Sequence, residues 1–149
     1  MIDIKELPVM PTIKGLEDLF EQHWDEVYNG SNPFPPKPDY EMYDKMEQAG
    51  MCFGLFAYYE DIIVGYSVNY IAPNMHSRGF FTCNNDVLYV DPLFRDTSLG
   101  LKLMKQTEKA GKNKGANLMV WNAPTNTSLV KILPRMGYKP IEVVMCKEL

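Results

Sequence analysis

Arg95, Ser98 and Gly100 stand within six positions of one another, and together they could hold an anion. They follow an apolar run that ends near Val90 and Pro92, and they open a stretch whose apolar residues recur every three or four positions. A helix beginning there leaves its first backbone N–H groups without intrahelical partners, and the aligned peptide dipoles add partial positive charge. Ser98 and Gly100 keep that backbone approachable, and the Arg95 guanidinium matches a diphosphate. The same spacing also describes an ordinary strand-to-helix turn capped by Thr97 or Ser98. A second reactive group, Asp86, precedes Val90 by four residues, and under strict alternation it shares a strand face with Leu88 and Val90. That carboxylate could take a proton, contact a substrate ammonium, or pair with a lysine at the strand end.

Other polar candidates are sparser. His76, beside Arg78 in a polar loop, reads as a substrate contact or as a solvated histidine, whereas His23 sits on an apolar helix stripe beside Trp24 and reads as packed. Phe34, Tyr40 and Tyr43 surround a proline-rich stretch and could line a pocket. No Walker-type glycine loop, no His and Cys cluster at metal-ligand spacing and no Ser, His and Asp set stands out, so metal-independent chemistry is expected.

These residues need a scaffold. Residues 2–14, interrupted by Pro8 and Pro11, suit a short edge strand. Leu16, Leu19, Phe20, His23, Trp24 and Val27 recur at helical spacing and predict a helix over about 15–28, stopped by Asn29, Gly30 and Ser31. Four prolines over 32–38 forbid regular structure. Asp39 can cap a helix running to about Gln48. The period then changes to two, and MCFGLFAYY and IIVGYSVNYI predict an antiparallel hairpin reversing at Glu60 and Asp61. Residues 72–79 read as a loop and 80–90 as a strand. A helix to about Lys114 follows, with Leu99, Leu103, Met104, Thr107 and Ala110 on its apolar face. ANLMVWNA predicts a strand, 126–137 a short helix bent or divided at Pro134, and IEVVMCKEL a last strand.

At 149 residues and 46% hydrophobic, the chain suits one domain spanning 1–149. Fifteen basic against nineteen acidic residues give a net charge of −4, which disfavours nucleic acid as the main ligand and favours small molecules or peptides as partners. No segment has the length and hydrophobicity of a signal peptide or membrane span. Three widely spaced cysteines, Cys52, Cys83 and Cys146, fit a reducing cytoplasm.

The segment V-D-P-L-F-R-D-T-S-L-G, residues 90–100, resembles the pyrophosphate-binding segment of the GNAT superfamily of N-acetyltransferases, V-x-P-x-x-R-G-x-G-x-G/A. Val90, Pro92, Arg95 and Gly100 match, while Asp96 and Ser98 depart from it. Asn126 and the R-M-G-Y of residues 135–138 resemble the family's N-x-x-A and K-L-G-F segments, and Asp86 resembles an acid carried by short, phage-type members. The order of elements along most of the chain is also similar.

The resemblance implies an α/β fold with a mixed, mostly antiparallel sheet of six to seven strands flanked by about four helices. It implies acetyl-CoA as cosubstrate, with the main chain of Leu88, Tyr89 and Val90 at the acetyl end, Arg95, Asp96, Thr97, Ser98, Leu99, Gly100 and Leu101 at the pyrophosphate, and Asn126 at the pantetheine arm. Asp86 becomes the expected base for a primary amine of a small molecule or peptide, attacking directly in a ternary complex. Phe34, Tyr40, His76 and Asp86 are the expected acceptor contacts. The family's acid position, four before Gly137, holds Leu133. Departures at Asp96, Ser98 and Leu133 keep open a noncatalytic binding protein of the same fold, and the donor could be another acyl-CoA. Relatives are frequently dimers, with the C-terminal strand a candidate for exchange.

Overall fold

The computed structural model describes residues 1–28 and 30–149, so the expected helix stop at Asn29 lies outside the described residues. Strand β1 (Ile2–Leu7) leads into helix α1 (Val9–Lys14), α2 (Glu17–Val27) and α3 (Tyr40–Gln48). Then come β2 (Cys52–Tyr59), β3 (Ile62–Pro73), β4 (Phe81–Val90), a 3₁₀ turn at Pro92–Phe94, α4 (Leu99–Asn113), β5 (Leu118–Trp121) and α5 (Leu129–Arg135). The strands form one sheet in the order β1-β2-β3-β4-β5. All neighbours are antiparallel except β4 and β5, whose parallel pairing requires the crossover through α4.

Each face of the sheet is covered. Val9 and Ile13 of α1, with Leu19 and Phe20 of α2 and Tyr40, Tyr43 and Met46 of α3, pack against Phe56, Tyr66, Val68 and Tyr89. On the other face, Leu99 and Leu103 of α4 pack against Leu55, Ala57 and Val64, and Ala110 packs against Phe53, Ile71 and Cys83. Leu103 is fully buried, so truncation to alanine would cost about 2–5 kcal/mol.

Local rules account for most boundaries. The Asp39 side chain accepts a hydrogen bond from the Met42 amide and starts α3. Glu60, at φ 56°, makes the expected reversal between β2 and β3. Four expectations are corrected. Residues 2–14 are a strand followed by a helix, because Pro8 ends the strand just outside α1 and the Glu47 carboxylate satisfies the Val9 amide at the helix start. Pro134 does not divide α5; it falls one residue before the end of the helix, where the carbonyl it leaves free is near the terminus. Among the described residues the sheet has five strands where six to seven were expected, and five helices flank it. The missing strand is IEVVMCKEL, because strand propensity forms a strand only against a partner, and residues 139–149 pair with none.

Candidate active site: a bulge between two cavities

β4 pairs with β5 only from Thr82 to Asn85, so residues 86–90 have no strand opposite them on that side. The two strands thus part at Asp86. On the other side of β4, Val87 faces Val68 and Asn85 faces Asn69, leaving Asp86 as the extra residue of a β-bulge. One extra residue reverses every side chain beyond it. Cys83 and Asn85 therefore point to the α4 face, where Asn85 bonds Ser67 and Ser67 accepts from Thr107, whereas Val87 and Tyr89 point to the α1–α3 face. The expectation that Asp86 shares a face with Leu88 and Val90 is corrected by this bulge: Leu88 and Val90 pack toward α4, while Asp86 accepts a short hydrogen bond from Tyr43 of α3.

Two cavities meet at this point. The first, about 560 Å³, lies over the gap between β4 and β5 and reaches the start of α4; Asp86, Leu88, Tyr89, Val90, Arg95, Thr97, Gly100, Leu101 and Asn126 all line it. The second, about 600 Å³, lies between α2, α3 and the proline-rich loop, and Asp86 and Tyr28 line both. Asp86 is exposed to the solvent that fills the two clefts, and the protein packed around its carboxylate desolvates it only in part. This desolvation raises its pKa above the ordinary carboxylate value, and the Tyr43 hydrogen bond partly offsets the shift. Tyr43 itself is pushed up, first by burial and then by the Asp86 charge, so it remains a hydrogen-bond donor.

At the start of α4 the main chain forms a cradle. Ser98 gives no side-chain cap, and among the described residues the amides of Ser98, Gly100 and Leu101 donate to no protein acceptor. The Leu99 amide is taken by Thr97 Oγ1 at 3.2 Å. A Cβ on Gly100 would meet nothing closer than Val90 Cγ2 at 4.0 Å, so the glycine is not forced by packing; a side chain there would instead fill the cleft it lines. These free donors suit a phosphate group.

Arg95 is arranged differently from the expectation of a free cation. Its Nη1 and Nη2 donate to the Glu26 carboxylate at 2.5 and 2.8 Å, its Nε donates to Val90 O at 2.9 Å, and the guanidinium lies over the Tyr89 ring. The pair carries no net charge and leaves two of the five guanidinium N–H groups uncommitted. Glu26 also accepts from Tyr89 Oη at 2.7 Å, and chiefly the Arg95 bonds hold its carboxyl below the usual range. Sequence reasoning missed Glu26, which lies on the polar face of α2; no local signal joins it to a residue 69 positions away.

The remaining candidates divide. Leu99 is core, 1% exposed, and Asp96 and Ser98 are exposed beside the cradle without lining the first cavity. Asn126 is tethered, its Nδ2 donating to Val27 O at 3.3 Å. Phe34, Tyr40 and His76 line neither cavity: Phe34 is exposed, Tyr40 packs under Lys14, and His76 sits in the 74–79 loop. His23 is buried, bonded through Nδ1 to Tyr66 Oη at 2.7 Å and stacked on Tyr89. Leu133 is buried, and Tyr138 bonds Glu108 outside the first cavity, so neither offers an acid there. No group of three or more His, Cys, Asp or Glu among the described residues could hold a metal ion, and no helix among them is long and apolar enough to cross a membrane.

The family model of the acetyltransferase (GNAT) family matches residues 16–138, and the chain belongs to that family. Its members take their acetyl group from acetyl-CoA. Solved structures share the fold over nearly their whole length. An aminoglycoside acetyltransferase from an uncultured soil metagenomic sample, in complex with sisomicin, is 21% identical with a TM-score of 0.76, covering 99% of this chain and 96% of that one. Glucosamine-6-phosphate N-acetyltransferase from Arabidopsis thaliana is 15% identical with a TM-score of 0.74, covering 99% and 98%. AAC(6')-Iy, in complex with the bisubstrate analogue CoA-S-monomethyl-acetylneamine, is 18% identical with a TM-score of 0.71, covering 100% and 98%. No curated protein matches the sequence.

Proposed function

We propose that this chain transfers the acetyl group of acetyl-CoA to a primary amine by direct attack in a ternary complex. One observation carries the reading: Asp86 stands at a bulge where the sheet parts, in the wall common to two cavities, one of which ends at the free amides of α4. The α4 amides receive the pyrophosphate, and the main-chain donors of Leu88 and Val90, which alternate toward the open β5 side while the Tyr89 amide turns to β3, polarise the thioester carbonyl. Asp86 Oδ2 is held by Tyr43, and the other carboxylate oxygen orients the amine and accepts its proton, directly or through one water. A raised pKa makes that carboxylate a stronger base than an aspartate at its ordinary value. Solvent protonates the departing thiolate. The test is release of free thiol from acetyl-CoA in the presence of an amine panel, with loss of that activity in Asp86→Asn.

One observation favours a second reading, a noncatalytic binder of the same fold: Glu26 neutralises the arginine of the phosphate segment. Such a protein would bind amine without releasing thiol.

The assembly that fits the chain is a homodimer. Residues 139–149 have no regular secondary structure, and Ile141, Val143, Val144 and Met145 are 72–88% exposed. β5 is the last strand of the sheet, with its outer edge open. A second copy supplies both a strand for that edge and an edge for that strand, which makes the contact self-complementary. Light scattering should give twice the monomer mass, and removal of residues 141–149 should halve it. The free cysteines, two buried and one exposed, suit a reducing cytoplasm.

A further inference from the structure

The second cavity has a definite chemical character. Along α2 and its C-cap, Phe20, Trp24 and Tyr28 follow one another at four-residue spacing, with Phe20 and Trp24 stacked at 6.3 Å between ring centroids and Trp24 and Tyr28 tilted to each other at 4.9 Å. This aromatic row lines the cavity and ends at Tyr28, which shares the Asp86 wall. Met42, Met46 and Val68 line the cavity too, and the Cys52 thiol, pushed up to about 12 by burial, stays neutral.

Charge is scarce there. Asp39 gives one oxygen to the α3 cap and shares the lining with the cation of Lys37 two residues away, so Asp86 is the lining carboxylate with no cation beside it in the sequence. The further ammonium groups of a polycationic acceptor would meet the mostly apolar wall or the Lys37 and Asp39 charges, which sum to zero. A single ammonium at Asp86, with its apolar body along the rings, satisfies the charge and buries the hydrocarbon.

From this geometry we infer that the acceptor is a monocationic primary amine with an aryl or alkyl body, seated on the Phe20–Trp24–Tyr28 row with its nitrogen at Asp86. The inference rests on the acetyl-transfer reading for its chemistry and on the second cavity for its selectivity. In the reaction Asp86, through a water, relays one proton from the bound ammonium to solvent; the freed nitrogen lone pair bonds the acetyl carbon, the carbon–sulfur bond breaks, the thiolate leaves with the electron pair and is protonated by solvent, and the nitrogen loses its second proton by way of Asp86.

The test uses the full chain with acetyl-CoA and, separately, phenethylamine, the amide of phenylalanine, spermidine and kanamycin, reading thiol release, together with equilibrium dialysis of phenethylamine. Phenethylamine or the phenylalanine amide should exceed both polycations in kcat/KM by roughly a hundredfold; which of the two is faster tells a free amine from a peptide-like one. Trp24→Ala should raise the phenethylamine KM about thirtyfold and leave the acetyl-CoA KM unchanged, with Trp24→Phe restoring much of the loss if alanine fails to fold. Equal or faster turnover of spermidine or kanamycin overturns the inference and leaves acetyl transfer standing. Saturable phenethylamine binding without thiol release from any amine overturns acetyl transfer and leaves the cavity assignment standing. Neither binding nor turnover overturns both.

Discussion

Tyr43 of α3 donates its phenolic hydrogen to Asp86 at the β4 bulge, so the carboxylate at the junction of the two cavities is held from the helical side. That bond lowers a pKa which burial raises. Removing it in Tyr43→Phe should move the acidic limb of the pH–kcat/KM profile to higher pH and reduce kcat at neutral pH by about tenfold. An unmoved limb would show that Tyr43 only packs.

Asp86→Asn should separate activity from stability. Turnover should fall by about 10²-fold with little change in acetyl-CoA affinity. The folded pKa of Asp86 lies above its unfolded value, so the ionised carboxylate costs stability at neutral pH, and the cost fades as pH falls through the folded value. Thermal melts at pH 7 should therefore find the asparagine protein at least as stable as the parent, with its advantage shrinking in acid. A lower Tm at pH 7 would contradict the desolvated carboxylate.

His23 controls a different response. Burial, its largest influence, lowers its pKa to about 4, so the folded protein keeps the ring neutral while the unfolded chain takes a proton near pH 6.5. Stability is fully present above pH 6.5 and is lost as pH falls toward 4, by about 2 kcal/mol between pH 7 and pH 5. Urea unfolding at the two pH values measures the loss, and His23→Gln should flatten it.

Arg95 and Glu26 should act with opposite sign. Arg95→Ala should raise the KM for acetyl-CoA by about tenfold, whereas Glu26→Gln, which frees the guanidinium for phosphate, should lower it by a few fold. Equal, small effects would confine the pair to holding α2 against the 3₁₀ turn.

What the sequence disclosed and what it hid follow from range. The apolar spacing along α2 and α4, the Asp39 cap and the Glu60 reversal are local, and each forms where its residues predict it. The bulge at Asp86 is not local: no glycine marks it, and only the register with Val68 and Asn69 reveals the extra residue. The alternation that assigned Asp86 to the face of Leu88 failed there for that reason. The Arg95–Glu26 pair and the Tyr43–Asp86 bond likewise join residues that meet only after the helices dock on the sheet. IEVVMCKEL shows the converse, strong strand propensity without an intramolecular partner.

Isothermal titration of the full chain with acetyl-CoA, followed in the same sample by addition of an amine and assay of free thiol, tests the central claim most directly. The cradle at α4 and the carboxylate at the bulge predict saturable binding at one site per chain and then thiol release that Asp86→Asn suppresses. Absence of heat on titration, or thiol release unaffected by that substitution, would contradict it.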